Sequence, residues 1–196
     1  GQYADLSVPG IDGPRSYSFA FAPKAGPARQ LQFHVRHVSG GAFTDWLFGS
    51  EPIGTQLKVA APYGEFRLNT STAPMLCIAG GSGLAPIMAI LQEALANGAT
   101  RPVVLLYGAR SQAHLYCLGE IGELKAAWNG PFEFIPVLSD EAPDSPWEGA
   151  RGLVTQQIAG IPDLAKCEAY LCGPPAMVDH AEEELLSAGV SRDAIS

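Results

Sequence analysis

The chain has few of the residues that build disulfide frameworks or metal centres. It holds 4 cysteines in 196 residues, and Cys167 and Cys172 are the pair with a ligand-like spacing. That spacing resembles half of a plant-type iron–sulfur set, but the Cys-x2-Cys that should come after it is absent. We interpret the spacing as coincidental, and neither the cysteines nor the four histidines predict a metal site. We therefore expect free thiols, as is usual for a cytoplasmic protein.

Long apolar runs and an excess of positive charge are also missing. No run approaches the length of a transmembrane helix, and no signal-peptide pattern is present, so we expect a cytoplasmic protein without a membrane partner. Residues 73–196 hold 6 Lys+Arg against 15 Asp+Glu, which accounts for the net charge of -8. This acidic second half argues against a nucleic-acid partner. With 47% hydrophobic and 16% charged residues, the chain is globular.

The first seventy residues predict an antiparallel β structure of barrel or sandwich type, because short strand patterns alternate with Gly/Pro turns. The predicted strands are Gln2–Val8, Pro14–Phe21, Leu31–Val38, Gln56–Ala60 and Glu65–Leu68. Turns are predicted at Ala22–Ala28 and at Pro62–Gly64, and a short helix from Thr44 to Gly49. The polar stretch Asn69–Pro74 predicts a link to the second part of the chain.

From Met75 the pattern changes to alternating strands and helices. The predicted strands are Met75–Ala79, Pro102–Tyr107, Phe132–Leu138 and Ala169–Cys172, and the predicted helices are Leu84–Ala96, Leu115–Trp128, Leu153–Ala159 and Pro175–Ala188. Such alternation predicts a parallel sheet with right-handed crossovers, whose ligands bind at the carboxyl ends of the strands. The segments Gly80–Gly83, Gly108–Ser111, Ser139 and Gly173–Pro175 should then lie along one edge.

A glycine turn joins the first of these strands to the first helix, at Gly80, Gly81, Ser82 and Gly83, with Pro86 just beyond. Such a turn directs backbone N–H groups and a helix N-terminus at one place, which suits a phosphate. Its spacing differs from Gly-x-Gly-x-x-Gly, since Pro86 takes the place of the last glycine. A plain strand–helix connection is the alternative interpretation.

A second candidate site lies on the second predicted strand, where Arg15 and Tyr17 share one face and Ser16 and Ser18 the other. Arginine binds phosphate with two hydrogen bonds, and tyrosine can stack on an aromatic ring. Taken alone, the pattern also fits a half-exposed strand with no binding role.

Six motifs in chain order resemble the ferredoxin–NADP reductase superfamily. They are Arg15-x-Tyr17-Ser18, Val35-Arg36 with Gly40-Gly41 and Thr44, Pro62-x-Gly64-x-Phe66, Gly80-Gly81-Ser82-Gly83-Leu84-Ala85-Pro86, Tyr107-Gly108-Ala109-Arg110, and Cys172-Gly173-Pro174-Pro175-x-Met177. The likeness covers essentially the whole chain and is greatest to the NADH-dependent reductase components of bacterial multicomponent oxygenases, such as phenol hydroxylase and soluble methane monooxygenase.

The resemblance implies two cofactor sites. It assigns to FAD the residues Arg15, Ser16, Tyr17, Ser18, Val35, Arg36, Gly41, Ala42 and Thr44. It assigns to the nicotinamide nucleotide Gly80, Gly81, Ser82, Gly83, Pro86, Arg110, Cys172, Gly173 and Pro174. Tyr17 would stack on the flavin ring and Ser18 would hydrogen-bond near its N5, while Cys172 would lie beside nicotinamide C4. Ser18 and Cys172 are thus the implied catalytic residues.

The same resemblance implies an NADH-dependent flavoprotein reductase that passes electrons through FAD to a 2Fe-2S centre and an oxygenase component. Two alternatives stay open: a reductase of the superfamily that serves free flavin or a haem partner, and a non-catalytic nucleotide-binding module. NADPH also stays possible, because Arg110 and Ser111 could hold a 2′-phosphate and His114 stands where relatives often have an acidic residue.

By the resemblance, the chain corresponds to a fragment of two domains. Residues 1–71 would form a partial, flavin-binding antiparallel β-barrel without its N-terminal strands. Residues 72–196 would form the NAD(P)H-binding α/β domain without its last strand. The 2Fe-2S centre would belong to a ferredoxin-like domain or protein outside this chain.

Overall fold

A computed structural model describes residues 1–22, 30–49 and 52–196. Its strands are β1 (Tyr3–Ser7), β2 (Arg15–Ser18), β3 (Lys58–Tyr63), β4 (Met75–Gly80), β5 (Val103–Ala109), β6 (Phe132–Leu138), β7 (Ala150–Arg151) and β8 (Glu168–Cys172). Its α-helices are α1 (Ala42–Gly49), α2 (Leu84–Ala96), α3 (Leu118–Ala127) and α4 (Pro175–Ser187). None of the helices within these described ranges is long and apolar enough to cross a membrane.

The first part of the chain forms a three-stranded antiparallel sheet of order β2-β1-β3, which with α1 makes the β-lobe (residues 1–63). Ala4 and Leu6 alternate along β1, and both side chains are buried, as the two-residue period of a strand requires. Val8 just beyond β1 and Phe43 of α1 complete this small core.

The second part forms a five-stranded parallel sheet of order β7-β6-β5-β4-β8, which with its helices makes the α/β-lobe (residues 75–196). All six residues of β4, an interior strand between β5 and β8, are buried, because helices cover both faces of the sheet. Met75, Cys77 and Ala79 face the core under α2 and α3, whereas Leu76 and Ile78 face the core under α4. An antiparallel sheet followed by a parallel α/β sheet confirms the predicted fold class.

Two strand predictions in the β-lobe are wrong. Leu31–Val38 is not a strand; among the described residues, it pairs at an isolated bridge between Phe33 and Phe19. The alternation of Leu31–Val38 was a local pattern, but a strand also needs a neighbour with which its backbone can hydrogen-bond. The predicted turn at Ala22–Ala28 lies, apart from Ala22, outside the described residues.

A single strand, β3, replaces the predicted pair Gln56–Ala60 and Glu65–Leu68 and runs through the predicted turn at Pro62. Its pairing with β1 shifts register between Tyr3 and Asp5, and β3 lies at the edge of the sheet. Proline lacks the N–H of a regular strand, but an edge strand with a bulge tolerates it. The Pro-Tyr-Gly sequence therefore misled the prediction.

Two helix predictions also need correction. Residues Val154–Gly160 form a 3-10 helix in place of the predicted α-helix Leu153–Ala159. Val154, Thr155 and Ile158 are β-branched and buried, and β-branched residues have low α-helix propensity. The helix predicted from Leu115 begins at Leu118, because Cys117 before it has the left-handed φ of 55°.

The link between the lobes is anchored on the amino-terminal side of the parallel sheet by a cluster that we call the tether: Asn69, Ser71, Arg101, Glu168 and Tyr170. The Arg101 guanidinium donates to the Glu168 carboxylate at 2.8 Å and to the Ser71 carbonyl at 3.1 Å. The Asn69 N–H donates to the Tyr170 hydroxyl at 3.1 Å. Buried charges of this kind are stable only when paired and hydrogen-bonded, as they are here.

Candidate functional site

The glycine turn after β4 brings two strand ends into direct backbone contact. Residues Gly81–Gly83 form one 3-10 turn, and α2 begins at Leu84. A Cβ added at Gly83 would lie 2.1 Å from the Cys172 carbonyl oxygen, and one at Gly80 would lie 2.6 Å from the Met177 sulfur. These positions exclude any side chain, so the glycines let the turn after β4 approach the end of β8 closely.

The helix after this turn has thirteen residues, and its first turn faces the same region. The Leu84 N–H donates to the carbonyls of Gly81 and Ser82, which ends the 3-10 turn and starts α2. Pro86 has no N–H, and it occupies the first turn, where N–H groups have no partner within the helix. The N-terminal end of a helix carries a partial positive charge that favours anions.

A cavity of about 460 Å³ lies between the two lobes, and we call it the cleft cavity. The predicted site residues that line it come from both lobes: Ser16, Tyr17, Ser18, Arg36, Thr44, Gly80, Gly81, Ser82, Gly83, Pro86, Cys172, Gly173 and Pro174. Tyr17 and Cys172, which are 155 positions apart in the sequence, thus share one cavity. Its walls suit a flat aromatic ring held between the lobes.

A second cavity of about 660 Å³ runs along the carboxyl ends of the parallel strands, and we call it the rim cavity. It is lined by Gly108 and Ala109 at the end of β5, by Arg110 just after it, by Ser139 after β6, and by the residues Gly80–Ser82. Val35 also lines it. Because Gly80–Ser82 line both cavities, the two form neighbouring parts of one site.

Carboxylates engage the polar groups at the open end of the rim cavity. Arg110 Nε donates to Asp140 Oδ2 at 2.9 Å, and both side chains are more than half exposed. The Gln112 backbone and side chain both donate to Glu141 at 2.8 Å, and these hydrogen bonds lower the pKa of Glu141. Ser111 Oγ lies 2.8 Å from His114 Nδ1.

Three predicted site residues lie outside both cavities. The Arg15 guanidinium donates to the backbone carbonyls of Asp12, Gly13 and Pro14, the shortest bond being 3.0 Å to Pro14. Gly41 and Ala42 lie at the start of α1, next to the cavity-lining Thr44.

The loop before α1 is held in place by side chains of the helix. Thr44 Oγ1 donates to the Val38 carbonyl at 2.8 Å, and the Gly40 N–H donates to Asp45 at 3.0 Å. Asp45 also lies 2.7 Å from the His37 ring. This fixed loop leaves the Gly41–Ala42 backbone at the helix start, a position favourable for an anionic group.

Arg36 gives the cleft cavity a positive charge, whereas its titratable side chains Cys172 and Tyr17 are kept in their neutral forms. Cys172 is mostly buried, and burial raises the pKa of its thiol above the ordinary value, so the sulfur keeps its proton near neutral pH. Burial also raises the pKa of the Tyr17 phenol. The Ser16 hydroxyl is engaged by Asp5 at 2.6 Å, whereas Ser18 on the same strand lines the cavity.

The sequence analysis missed two residues of the site, His34 and Tyr116. His34 lines both cavities, and its Nδ1 lies 3.2 Å from the Tyr116 hydroxyl, which in turn donates to the Gly81 carbonyl at 3.3 Å. His34 lies within Leu31–Val38, which was predicted to be a strand, and the sequence analysis tested the histidines only as metal ligands. Among the described residues, no three His, Cys, Asp or Glu side chains are grouped so that they could hold a metal ion.

The geometry of the site fits the two cofactors that the sequence motifs implied. The Gly80, Gly83 and Gly173 positions make a turn that a Cβ would fill, next to a helix N-terminus, as a pyrophosphate requires. The cleft cavity adds an aromatic side chain and a hydroxyl on the opposite wall.

Comparison with known proteins gives concordant findings. Residues 77–183 match the model of the oxidoreductase NAD-binding domain. The chain is 49% identical over 195 residues to the xylene/toluene monooxygenase electron transfer component XylA of Pseudomonas putida, covering 100% of this chain and 55% of the relative. It is 37% identical over 189 residues to the phenol 2-monooxygenase reductase component DmpP of a Pseudomonas species, covering 95% of this chain and 53% of that protein.

A solved structure agrees with both the sequence relatives and the fold. The crystal structure of the Amycolatopsis cytochrome P450 reductase GcoB superimposes with a TM-score of 0.89 at 37% identity, over 100% of this chain and 59% of that one. The chain thus spans a little over half the length of the relatives it matches. The matched domain, the relatives and the shared fold agree that the chain belongs to the oxidoreductase NAD-binding family of ferredoxin–NADP reductase-like proteins.

Proposed function

We propose that this chain is the flavin- and nucleotide-binding part of an NADH-dependent reductase. It takes electrons from NADH through FAD and delivers them to a 2Fe-2S centre and then to an oxygenase component. The observation that carries the proposal is the cleft cavity, in which Tyr17 of the β-lobe and Cys172 of the α/β-lobe line the same space. The relatives named as monooxygenase electron transfer and reductase components support the same function.

The nicotinamide nucleotide is held at the glycine turn and the rim cavity. The backbone of Gly80–Gly83 and the first turn of α2, with Pro86, receive the pyrophosphate, and the positive end of the helix favours its charge. Gly173 and Pro174 leave room for the nicotinamide ring beside Cys172. Because burial raises the pKa of the Cys172 thiol, that side chain presents a neutral surface to the ring.

The flavin is held by the β-lobe. Tyr17 stacks on the isoalloxazine ring, and Phe43, 5.5 Å away between ring centroids, supports Tyr17 from behind. The Ser18 hydroxyl donates to a ring nitrogen, and Val35 and Arg36 line the ring edge. The loop with Gly41, Ala42 and Thr44 holds the pyrophosphate, and Arg15 would join it by releasing the backbone carbonyls to which its guanidinium donates.

When bound, FAD accepts the hydride equivalent from the dihydronicotinamide and releases its electrons singly. The residues of the chain hold the two rings in contact and keep water out, and no side chain has to act as an acid or base. A site built from glycines, prolines, hydroxyls and a neutral thiol suits this task, since holding two reactants in the right geometry lowers the barrier.

The ion pair at the end of the rim cavity supports NADH over NADPH. Arg110, the cation that could bind a 2′-phosphate, already donates to Asp140 at 2.9 Å. A 2′-phosphate placed here would meet the carboxylate as well as the guanidinium, whereas a free ribose 2′-OH can donate to a carboxylate. Asp140 therefore offsets the preference for NADPH that Arg110 alone would give.

The proposed system includes two further parts. The 2Fe-2S centre belongs to a ferredoxin-like domain or protein, and the oxygenase component is the final acceptor. Residues 1–71 form the flavin-binding domain and residues 72–196 the NAD(P)H-binding domain. The four free thiols are compatible with a cytoplasmic location.

An anaerobic titration of the flavin-loaded chain tests this function and the coenzyme assignment together. We expect NADH to bleach the flavin absorbance at far lower concentration than NADPH. Replacing Asp140 with asparagine should improve the kcat/KM for NADPH relative to NADH by about fivefold, the factor for ~1 kcal/mol of repulsion between exposed charges. Asp163→Asn, which removes a similarly exposed carboxylate outside both cavities, is the matched control.

Three results would count against the proposal. Bleaching by neither nucleotide contradicts the reductase function itself. Equal bleaching by both contradicts the NADH assignment alone. An unchanged coenzyme ratio in Asp140→Asn contradicts the role given to Asp140.

A further inference from the structure

A chain of hydrogen bonds crosses between the lobes at the point where the two cavities meet. His34 comes from the β-lobe, whereas Tyr116, Cys117 and Gly81 come from the α/β-lobe. His34 Nδ1 lies 3.2 Å from Tyr116 Oη, and His34 Nε2 lies 3.9 Å from the Cys117 sulfur. The two rings of His34 and Tyr116 meet edge to face, with centroids 5.0 Å apart at 87°.

One arrangement of protons satisfies every member of this chain. Tyr116 has a single hydroxyl proton, which it donates to the Gly81 carbonyl at 3.3 Å. The Tyr116 oxygen must then accept from His34, so His34 carries its proton on Nδ1. The remaining Nε2 is an acceptor, and the Cys117 S–H is the donor that faces it.

The surroundings keep each of these groups in its neutral form. Burial lowers the pKa of the His34 ring, although the nearby Glu120 carboxylate opposes this effect. Burial raises the pKa of the Tyr116 phenol and also that of the Cys117 thiol. All three side chains are therefore uncharged at neutral pH, as the arrangement requires.

The last member of the chain, the Gly81 carbonyl, belongs to the turn that receives the pyrophosphate. Its oxygen accepts from the Leu84 N–H as well as from Tyr116, so both of its lone pairs are used. In a trans peptide, the N–H of the next residue points opposite to the carbonyl. The hydrogen bond to Tyr116 thus holds the Gly81 carbonyl oxygen toward Tyr116, and the Ser82 N–H of the same peptide points away from Tyr116. Ser82 lines both cavities.

We propose that His34 and Tyr116 are positioning residues that orient the Gly81–Ser82 peptide for the pyrophosphate and tie that peptide to the flavin-binding segment at Val35–Arg36. This inference rests on the proposed function, because it concerns the same nucleotide site. A carbonyl free to turn into the cavities would repel an anion, whereas a fixed one leaves the amide to bind it. The bond to His34 fixes the Tyr116 ring from the opposite lobe.

Binding of ADP-ribose, measured by calorimetry on the 196-residue chain without flavin, tests the proposal. ADP-ribose carries the pyrophosphate but no nicotinamide, so the measurement does not depend on electron transfer. Tyr116→Phe and His34→Leu should each weaken binding by about two- to tenfold, the factor for one lost hydrogen bond. The double variant should bind no more weakly than Tyr116→Phe alone, because both changes break the same chain.

Conservative and remote variants separate positioning from loss of folding. In His34→Asn, the side-chain amide nitrogen stands where Nδ1 stood, so binding should return to within about twofold of wild type. Tyr63→Phe and His180→Asn are the matched controls, since both residues lie outside the two cavities. Neither control should change ADP-ribose affinity.

The tautomer of His34 distinguishes a hydrogen-bonding role from simple packing, because packing alone would not fix which ring nitrogen carries the proton. Long-range ¹H–¹⁵N spectra at pH 7.5 should show protonated Nδ1 and unprotonated Nε2 in wild type, and Tyr116→Phe should remove that preference. The His34 signals are those missing from the spectrum of His34→Asn. A proton on Nε2 in wild type overturns the proposal.

The remaining outcomes are also decisive. If wild type binds ADP-ribose and the Tyr116 and His34 variants bind it equally well, the positioning role is wrong and the proposed function stands. The positioning role is also wrong if His34→Asn binds as weakly as His34→Leu. If wild type itself fails to bind ADP-ribose, the proposed function falls and the positioning role falls with it.

Discussion

Single residues at the cleft matter as much for the side chains they lack as for those they carry. Gly83 sits where a Cβ would overlap the backbone of Cys172, at 2.1 Å from its carbonyl oxygen. Backbone cannot swing aside as a flexible side chain can. The contact between the turn after β4 and the end of β8 therefore requires glycine at position 83, where any other residue would place a Cβ.

Gly83→Ala should force these two segments apart. We expect a loss of about 1–3 kcal/mol in the free energy of unfolding, the usual cost of overpacking. ADP-ribose affinity should fall as well, because the turn that receives the pyrophosphate moves. Urea denaturation and calorimetry measure the two effects.

The matched control is Gly122→Ala, in the middle of α3, where a Cβ would meet nothing within 4 Å. Alanine is the better helix former by roughly 0.5–1 kcal/mol, so this variant should be more stable than wild type. A Gly83→Ala protein as stable as Gly122→Ala would contradict the close approach of the two segments.

Residue-level prediction from the sequence was uneven for a physical reason. The family motifs predicted that Tyr17 and Cys172 belong to neighbouring cofactor sites, and both residues line the cleft cavity. The pairing of His34 with Tyr116 had no such motif, and it joins residues 82 positions apart through one hydrogen bond. Nothing in local spacing encodes that contact, so only the folded chain reveals it.

At the level of elements, the parallel sheet depends on the tether at its amino-terminal side. Glu168 opens β8, and its carboxylate neutralises Arg101, which lies just before β5. The side chains are 5% and 11% exposed for Arg101 and Glu168, so solvent screens the pair little. The pair joins two strands on opposite sides of β4.

Glu168→Gln should leave the Arg101 charge buried without its partner. We expect the free energy of unfolding to fall by about 3–5 kcal/mol, as for other broken buried pairs. Asp163→Asn provides the control, since its pair with Lys166 is more than two-thirds exposed. That variant should change stability by less than about 1 kcal/mol. Equal effects from the two substitutions would show that the buried pair is no stronger than a surface one.

Strands were predicted accurately from the sequence where all their residues are buried, and less accurately where they are partly exposed. The six residues of β4 are all buried, and the run Met75–Ala79 was recognised almost to its bounds. In the β-lobe, the pattern of Leu31–Val38 indicated a strand, but within the described residues this segment pairs at the Phe33–Phe19 bridge alone. Pro62 indicated a turn, but a bulged edge strand continues through it. Local patterns describe faces and turns, whereas strand pairing is decided by distant segments.

For the whole molecule, the tether makes the link part of the α/β-lobe. Phe66 packs edge to face on Tyr170 at 6.1 Å, the Asn69 N–H donates to the Tyr170 hydroxyl, and the Ser71 carbonyl accepts from Arg101. The sequence predicted the link at Asn69–Pro74 and a domain boundary between residues 71 and 72. The contacts indicate that residues just before that boundary contribute to the stability of the second domain.

A fragment of residues 65–196 should therefore be more stable than one of residues 75–196. The shorter fragment loses the Phe66 contact and four hydrogen bonds, which involve Asn69, Ser71, Ala73 and Pro74, and we expect this loss to cost about 3–5 kcal/mol. For a domain of this size, that difference corresponds to a melting temperature lower by roughly 10–20 °C. Calorimetric melting of both fragments checks the expectation, and identical melting temperatures would place the boundary after the link.

The tether and the cleft lie at opposite ends of the same strands, so a rotation of the β-lobe about the tether would cause its largest displacement at the cleft. β4 spans six residues between them, or roughly 17–20 Å at the rise of a strand. With its pivot at the tether, a swing of the β-lobe through about 5° moves the far end by about 1.5 Å over that arm. A displacement of that size is more than the 3.2 Å contact between His34 and Tyr116 can absorb, so the hydrogen bonds at the cleft and the tether together limit how far the two lobes can rotate.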